Sequence, residues 1–290
     1  MIRLVRAELL KIRRRQATYV LLIIELALAA LIFIATGRAW RLSGLIEFPT
    51  AYGLLFQQVA LQLGSLMAIV FAAAFVGADW NWGVLRNVVA RGEGRERYLL
   101  GKAIAIGIAL AIALLIVFAA CFVLIYVQGF IYGLPVANPF RADGLTDLIQ
   151  WFVFGFFVLI QRAAIGFAVA AIFRSQLAGA VVGIVLYLVE SVVTLILTVI
   201  TLTTQITEGG IGGLSGGTPQ VGPEWFQFLP ISIGGNVFSA LPGAGGIGSG
   251  DLGSLVLRPV PLPLALTGVL IYLVAAIGIA LIALRRQEIA

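Results

Sequence analysis

Six apolar stretches of the chain are long enough to cross the hydrocarbon layer of a bilayer, which takes about 20 helical residues. They cover residues 17–37, 52–77, 103–127, 151–173, 177–200 and 262–284. The pattern predicts an all-α integral membrane protein with six transmembrane helices, organised as a single transmembrane domain over residues 1–290. The first stretch is too long for a cleavable signal peptide, carries Glu25 and lacks a small-residue cleavage site before the next span, so it is expected to stay in the membrane.

Three polar segments interrupt this pattern. Residues 1–16 read as an interfacial helix: Ile2, Val5, Leu9 and Ile12 form one apolar stripe, while Arg3, Arg6, Arg13 and Arg14 lie off it. Such a helix lies flat on the inner leaflet, where it can anchor topology or help dock a partner; both roles stay open. Residues 78–102 form the one long loop expected on the cytoplasmic side. Residues 201–261 form an external loop with glycine-rich flanks around the more apolar core 225–241, which is too short and proline-broken to span. That core is either a re-entrant or interfacial piece, whose backbone must be covered by protein or water, or a surface turn in a mobile loop.

Composition agrees with the membrane class. With 61% hydrophobic residues, 11% charged residues and mean hydropathy +1.09, a soluble interior could not hide the apolar surface. Cys121, the single cysteine, lies within an apolar run, so there is no disulfide framework and no cysteine-rich metal site. Histidine is absent, which removes the commonest metal ligand and the usual general base; no metal site and no catalytic residue are expected.

Basic residues near span ends are retained in the cytoplasm. With the N-terminus inside, most of the 19 Lys and Arg fall on that side: the cluster up to Arg15, then Arg86, Arg91, Arg95, Arg97 and Lys102, then Arg174, and finally Arg285 and Arg286. Both termini are therefore expected in the cytoplasm of a multi-pass plasma-membrane protein. The net charge of +6 follows from this asymmetry and from apposition to anionic lipid, so nucleic acid is not an expected partner.

The 78–102 loop carries the most information. Val84, Leu85, Val88 and Val89 form an apolar strip on a two-turn helix, Arg86 and Arg91 project elsewhere, and Trp80 and Trp82 suit the bilayer interface. A short amphipathic helix of this kind fits a groove on a soluble partner. ATP binding by this chain itself is not supported: Gly101-Lys102 is followed by Ala103 at the start of a span, without the loop of backbone amides that a phosphate needs.

Six spans, the basic N-terminal helix and this loop together resemble the ABC-2 type permease subunits of ABC transporters. The family's loop carries an acidic residue, then Gly-Thr-Leu, then an Arg ahead of a Gly-Lys that opens the third span. Gly83, Leu85, Arg95, Gly101 and Lys102 match this pattern; Val84 stands where Thr is usual and Asp79 where Glu is common. The resemblance implies that Asp79, Trp80, Trp82, Gly83, Val84, Leu85, Arg86, Val88, Arg95 and Lys102 belong to an ATPase-coupling element received by a separate nucleotide-binding subunit. It also implies that ATP and Mg²⁺ are bound by that partner, that a second permease copy completes a homo- or heterodimer, and that transport is export. A non-transporting membrane scaffold that anchors a soluble complex is the alternative.

Inside the membrane, Glu25, Arg162 and Glu190 are ionisable. Counted from the turn near Ser175, Arg162 and Glu190 differ in depth by only about 3 Å, so they can pair; glycines 155 and 166 share a face with Arg162, and Gly179 and Gly183 with Glu190. Glu25 is within reach of a long arginine. An unpaired charge there costs at least about 2.5 kcal/mol, so pairing is expected, as a packing bridge or as part of a substrate or proton path. Gln58, Gln62 and Ser65 on span two, and Ser191, Thr194 and Thr198 on span five, follow helical spacing. In the ABC-2 family those spans face the partner protomer, so the two stripes resemble a pathway lining; hydrogen bonding within one protomer accounts for them as well.

Overall fold

The computed structural model describes residues 1–43, 46, 48–81, 84, 94–136, 138, 144–209, 227–239 and 260–285. In chain order these form α1 (Ile2–Arg14), α2 (Gln16–Ser43), α3 (Phe48–Phe56), a π-helix (Gln57–Leu63), α4 (Gly64–Asn81), α5 (Arg95–Tyr132), α6 (Gly144–Phe173), α7 (Gln176–Gly209), α8 (Ser232–Ser239) and α9 (Leu262–Arg285). Among the described residues no strand forms; one parallel bridge joins Ile46 and Val136. Six stretches are long and apolar enough to cross a membrane, within α2, α3 to α4, α5, α6, α7 and α9.

Most of the helices outrun the apolar windows. Span three, expected over 103–127, is helical from Arg95 to Tyr132, and span five runs on to Gly209. Hydropathy marks the hydrocarbon layer, whereas the backbone ladder continues until a residue or packing stops it. The segment 78–102 is accordingly less of a loop than expected, since Asp79 and Trp80 are still in α4 and Lys102 is already in α5. Likewise the 201–261 segment begins in α7 and contains α8.

The interior is built around α6, which packs on α4, α7 and α9. The glycine contact expected between spans four and five is shared with span two. Gly179 lies against Ala170, but Ile69 of α4 wedges against both Gly166 and Gly183, and no Cβ fits at Gly166 beside its backbone. In contrast α7 turns a largely exposed, apolar flank outward, with Val185, Leu188 and Val192 on its surface.

The α6–α7 turn is tight. Arg174 adopts a left-handed conformation (φ 53°), and Ser175 Oγ accepts the Ala178 N–H at 3.3 Å, capping α7. Arg174→Gly is expected to raise stability by about 1 kcal/mol, because glycine carries no Cβ penalty there. Ser175→Ala is expected to lower it by about 1 kcal/mol. Thermal unfolding in detergent checks both signs, and the reverse order would contradict this account of the turn.

One end of the bundle gathers α1, the end of α4, the α6–α7 turn and the end of α9. Gly77 abuts the backbone of Ser175 and Gln176, and Arg285 Nε donates to Glu96 Oε1 at 2.6 Å. Away from this end, Tyr52, Phe56, Phe118, Trp151 and Phe152 form a chain of edge and stacked ring contacts with centroids 5.2 to 6.1 Å apart.

Candidate functional site

A buried charge cluster joins three elements, α1, the end of α4 and the start of α5, the last two flanking residues 82–93 in the sequence. Lys102 of α5, 1% exposed, donates to Asp79 at the end of α4 and lies 3.7 Å from Glu8 of α1. Tyr98 donates its hydroxyl to Asp79 Oδ2 at 2.6 Å, and Lys11 bridges back to Glu8 and reaches the Tyr98 oxygen at 3.4 Å. Phe75 closes one side: the Lys102 ammonium lies 4.4 Å from its ring centroid and the Arg15 guanidinium 5.3 Å. Leu4 packs against Gly101, which brings α1 close enough for Glu8 to reach inward.

This geometry changes the reading of α1. Of the expected stripe, Ile12 is buried, Val5 and Leu9 are partly buried against the core, and Ile2 is exposed. The face toward protein also carries Glu8, the one acidic residue ahead of Glu25, at i+4 from Leu4 and i−4 from Ile12. That spacing was a legible sign, since a carboxylate aligned with apolar positions on a basic helix needs an internal partner. Tyr98, Lys11 and Phe75 carry no comparable sign; only the fold brings them to Asp79.

Of the other coupling positions, Trp80 is partly buried against the core, and Arg95 begins α5. Val84 is helical and half-buried. Trp82, Gly83, Leu85, Arg86 and Val88 lie outside the described residues.

The intramembrane charges are arranged differently from a simple pair. Arg162, 3% exposed on α6, and Glu190 on α7 grip the same short backbone stretch that leads into α8. The guanidinium donates to the carbonyls of Pro230 and Ile231, and Gln161 Nε2 donates to Pro230 O at 2.9 Å. Glu190 Oε1 accepts the N–H groups of Ile231 at 2.7 Å and Ser232 at 2.6 Å, capping the N-terminus of α8 from another helix. Arginine thus neutralises exposed carbonyls and glutamate the exposed amides, as buried backbone requires. Arg162 is 18 residues from the Gly144 end of α6, about 27 Å along the axis, so the 227–239 segment reaches deep into the bundle. Tyr272 of α9 holds it further, donating to Phe228 O at 2.7 Å.

Among the described residues, Glu25 meets no arginine. Its carboxylate lies beside Gly64, where a Cβ would come within 2.9 Å of Oε1, and it lines a cavity between α2, α4 and α5.

The expected polar stripe on span two does not hold as one face. Gln58 and Gln62 fall within the π-helix, whose turns take an extra residue, so Gln62 is exposed while Ser65 is buried. On span five, Ser191 and Thr194 donate to the carbonyls of Tyr187 and Glu190, one turn back on their own helix, both at 2.8 Å. The Thr198 side chain lies outside the described residues. Tyr187 links the two spans by donating to Gln62 O at 3.0 Å.

Compared with known families, residues 4–190 match the one described as ABC-2 family transporter protein. No curated protein matches the chain.

Proposed function

Because the chain belongs to the ABC-2 transporter family, we propose that it is the exporting permease subunit of an ABC transporter, driven by a separate ATP-binding subunit and paired with a second permease copy. The observation that carries the coupling part of this reading is the Lys102 cluster. It fastens Asp79 and Tyr98, on the two sides of the 82–93 segment, to each other and to α1. A push delivered by a soluble subunit at that segment is then passed to α4, α5 and α1 together, instead of being lost in a hinge. ATP and Mg²⁺ reside on the partner, and this chain contributes no catalytic group.

The same end of the bundle faces the cytoplasm in this reading. The α1 arginines, Arg174 and the Arg285–Glu96 pair all gather there, as retention of basic residues on the inner side requires. α1 then lies at the inner leaflet with its protein-facing side occupied by Glu8. The exposed flank of α7 is left for the second copy or for lipid.

The test is to replace Leu85 and Val88 together by Asp, which places charge in an apolar groove of the partner. The ATP-binding subunit is expected to be lost from mild-detergent preparations while the permease still inserts. Unchanged co-purification and ATP turnover would refute the coupling role. If the pair assembles but ATP hydrolysis moves nothing across reconstituted vesicles, the chain is a scaffold and not a permease of this kind.

A further inference from the structure

The apolar stripe of α1 is taken up by the protein itself. Ile12 is buried, Leu4, Val5 and Leu9 pack on the core, and Glu8 on the same side is bound to Lys11 and faces Lys102. Hydrophobic insertion, the ordinary way an interfacial helix holds a bilayer, is therefore closed to that face. The opposite face is cationic. At about 100° per residue, Arg13, Arg6, Arg3 and Arg14 fall within an arc of about 100°, across the helix from Glu8 and Ile12. All four are exposed with Leu10 among them, and among the described residues no carboxylate forms an ion pair with any of them.

The junction with α2 sets the height of this face. Arg15 alone separates the two helices, and its N–H and Thr18 Oγ1 both donate to Ile12 O, each at 3.2 Å. The Arg15 guanidinium turns inward to Ala74 O at 3.4 Å, which pins the elbow on α4. Tyr19 donates its hydroxyl to Arg13 O at 2.9 Å. Tyr19 also heads the exposed apolar flank of α2 that continues through Val20, Ile23, Leu31 and Ile34, a surface suited to lipid. A tyrosine at the end of such a flank belongs at headgroup level. Its hydrogen bond therefore places Arg13 and Arg14 in the headgroup layer, at the lipid-facing edge of the bundle.

We infer that the arginine face of α1 is a docking surface for anionic phospholipid. The guanidinium groups hold headgroup phosphates by charge and by paired N–H donors, without insertion of the helix. That the lipid belongs to the inner leaflet rests on the orientation proposed above; the contact with headgroups does not. Through Glu8 on its other side, α1 passes this grip to Lys102, so a charged leaflet steadies the two ends of the 82–93 segment.

The test places a fluorophore at Leu10→Cys in a Cys121→Ala background of the full-length chain in nanodiscs. Quenching is compared between phosphatidylglycerol and phosphatidylcholine, each carrying a nitroxide near the glycerol end of its acyl chain. The anionic lipid is expected to be preferred at least about tenfold, with the preference falling as salt is raised. Changing Arg3, Arg6, Arg13 and Arg14 together to Gln should bring the two lipids within about twofold, whereas changing them to Lys should keep most of the preference. Because all four are exposed, the Gln variant should unfold at the wild-type temperature in neutral detergent. Phosphatidylglycerol added to phosphatidylcholine discs should raise that temperature for the wild type and not for the Gln variant. Equal quenching by the two lipids, a preference untouched by salt, or one retained in the Gln variant would overturn the proposal. So would loss of the ATP-binding subunit from the Gln variant with its lipid preference intact, which would assign the face to the soluble partner. The discs hold this chain alone, so failure here leaves the transport reading standing, and failure of the Leu85 and Val88 test leaves this one standing.

Discussion

Lys102→Met is expected to destabilise the protein by about 3–5 kcal/mol, because it strands Asp79 and Glu8 in a site closed to water. Both carboxylates are more than nine-tenths buried, so solvent cannot take over the role of the ammonium. The triple change Lys102→Met, Asp79→Asn, Glu8→Gln should recover most of the loss, since it also removes the charges that need compensation. Tyr98→Phe, which deletes one hydrogen bond to Asp79, should cost only about 1 kcal/mol. Thermal unfolding of the detergent-solubilised chain ranks the four proteins. A Lys102→Met variant within about 1 kcal/mol of wild type would mean that the cluster is wet and does not hold the loop ends together. The single variant should also loosen the response of ATP turnover to the permease, because α1 and α4 would no longer move with α5.

Arg162→Met is expected to cost about 3 kcal/mol, since it leaves the carbonyls of Pro230 and Ile231 short of donors and Glu190 without a nearby cation. Glu190→Gln should cost less, about 1–2 kcal/mol, because an amide oxygen still accepts from Ile231 and Ser232 but adds no charge at the head of α8. The two losses should fall short of additivity, as both act by releasing the same three-residue stretch. Hydrogen exchange provides the sharper reading: amides of 231–239 should exchange faster in either variant while those of α4 and α5 keep their protection. Additive losses with unchanged exchange at 231–239 would show that the two charges do not hold this segment.

These two sites differ in how far they were legible. Asp79 and Lys102 stand out in sequence because a charged residue at the edge of an apolar run is conspicuous, and the spacing around Gly101 resembles a known loop. Glu25, Arg162 and Glu190 stand out for the same reason within the runs. Their partners do not. Arg162 and Glu190 are bound to the backbone of Pro230, Ile231 and Ser232, and every residue carries the same N–H and C=O groups, so no side-chain pattern marks the place. Equal depth on neighbouring spans correctly brings the two charges into one region, but the re-entering chain between them is decided by the fold.

The amino-acid sequence by itself determined the number of membrane-crossing helices and the class of protein, because the thickness of the hydrocarbon layer fixes how many apolar residues a span needs, whatever surrounds it. It also determined where charge had to be dealt with, because the cost of burying an ion depends on the residue and its depth. Only the tertiary structure decided how each charge is dealt with: Lys102 by two carboxylates from different helices, Arg162 and Glu190 by the two ends of peptide dipoles, Glu25 by none among the described residues. It likewise decided that the span-two stripe runs through the π-helix Gln57–Leu63, whose extra residue per turn leaves no periodic signature in hydropathy. Composition sets the demand for compensation, and the partners that meet it come from distant parts of the chain brought together by packing.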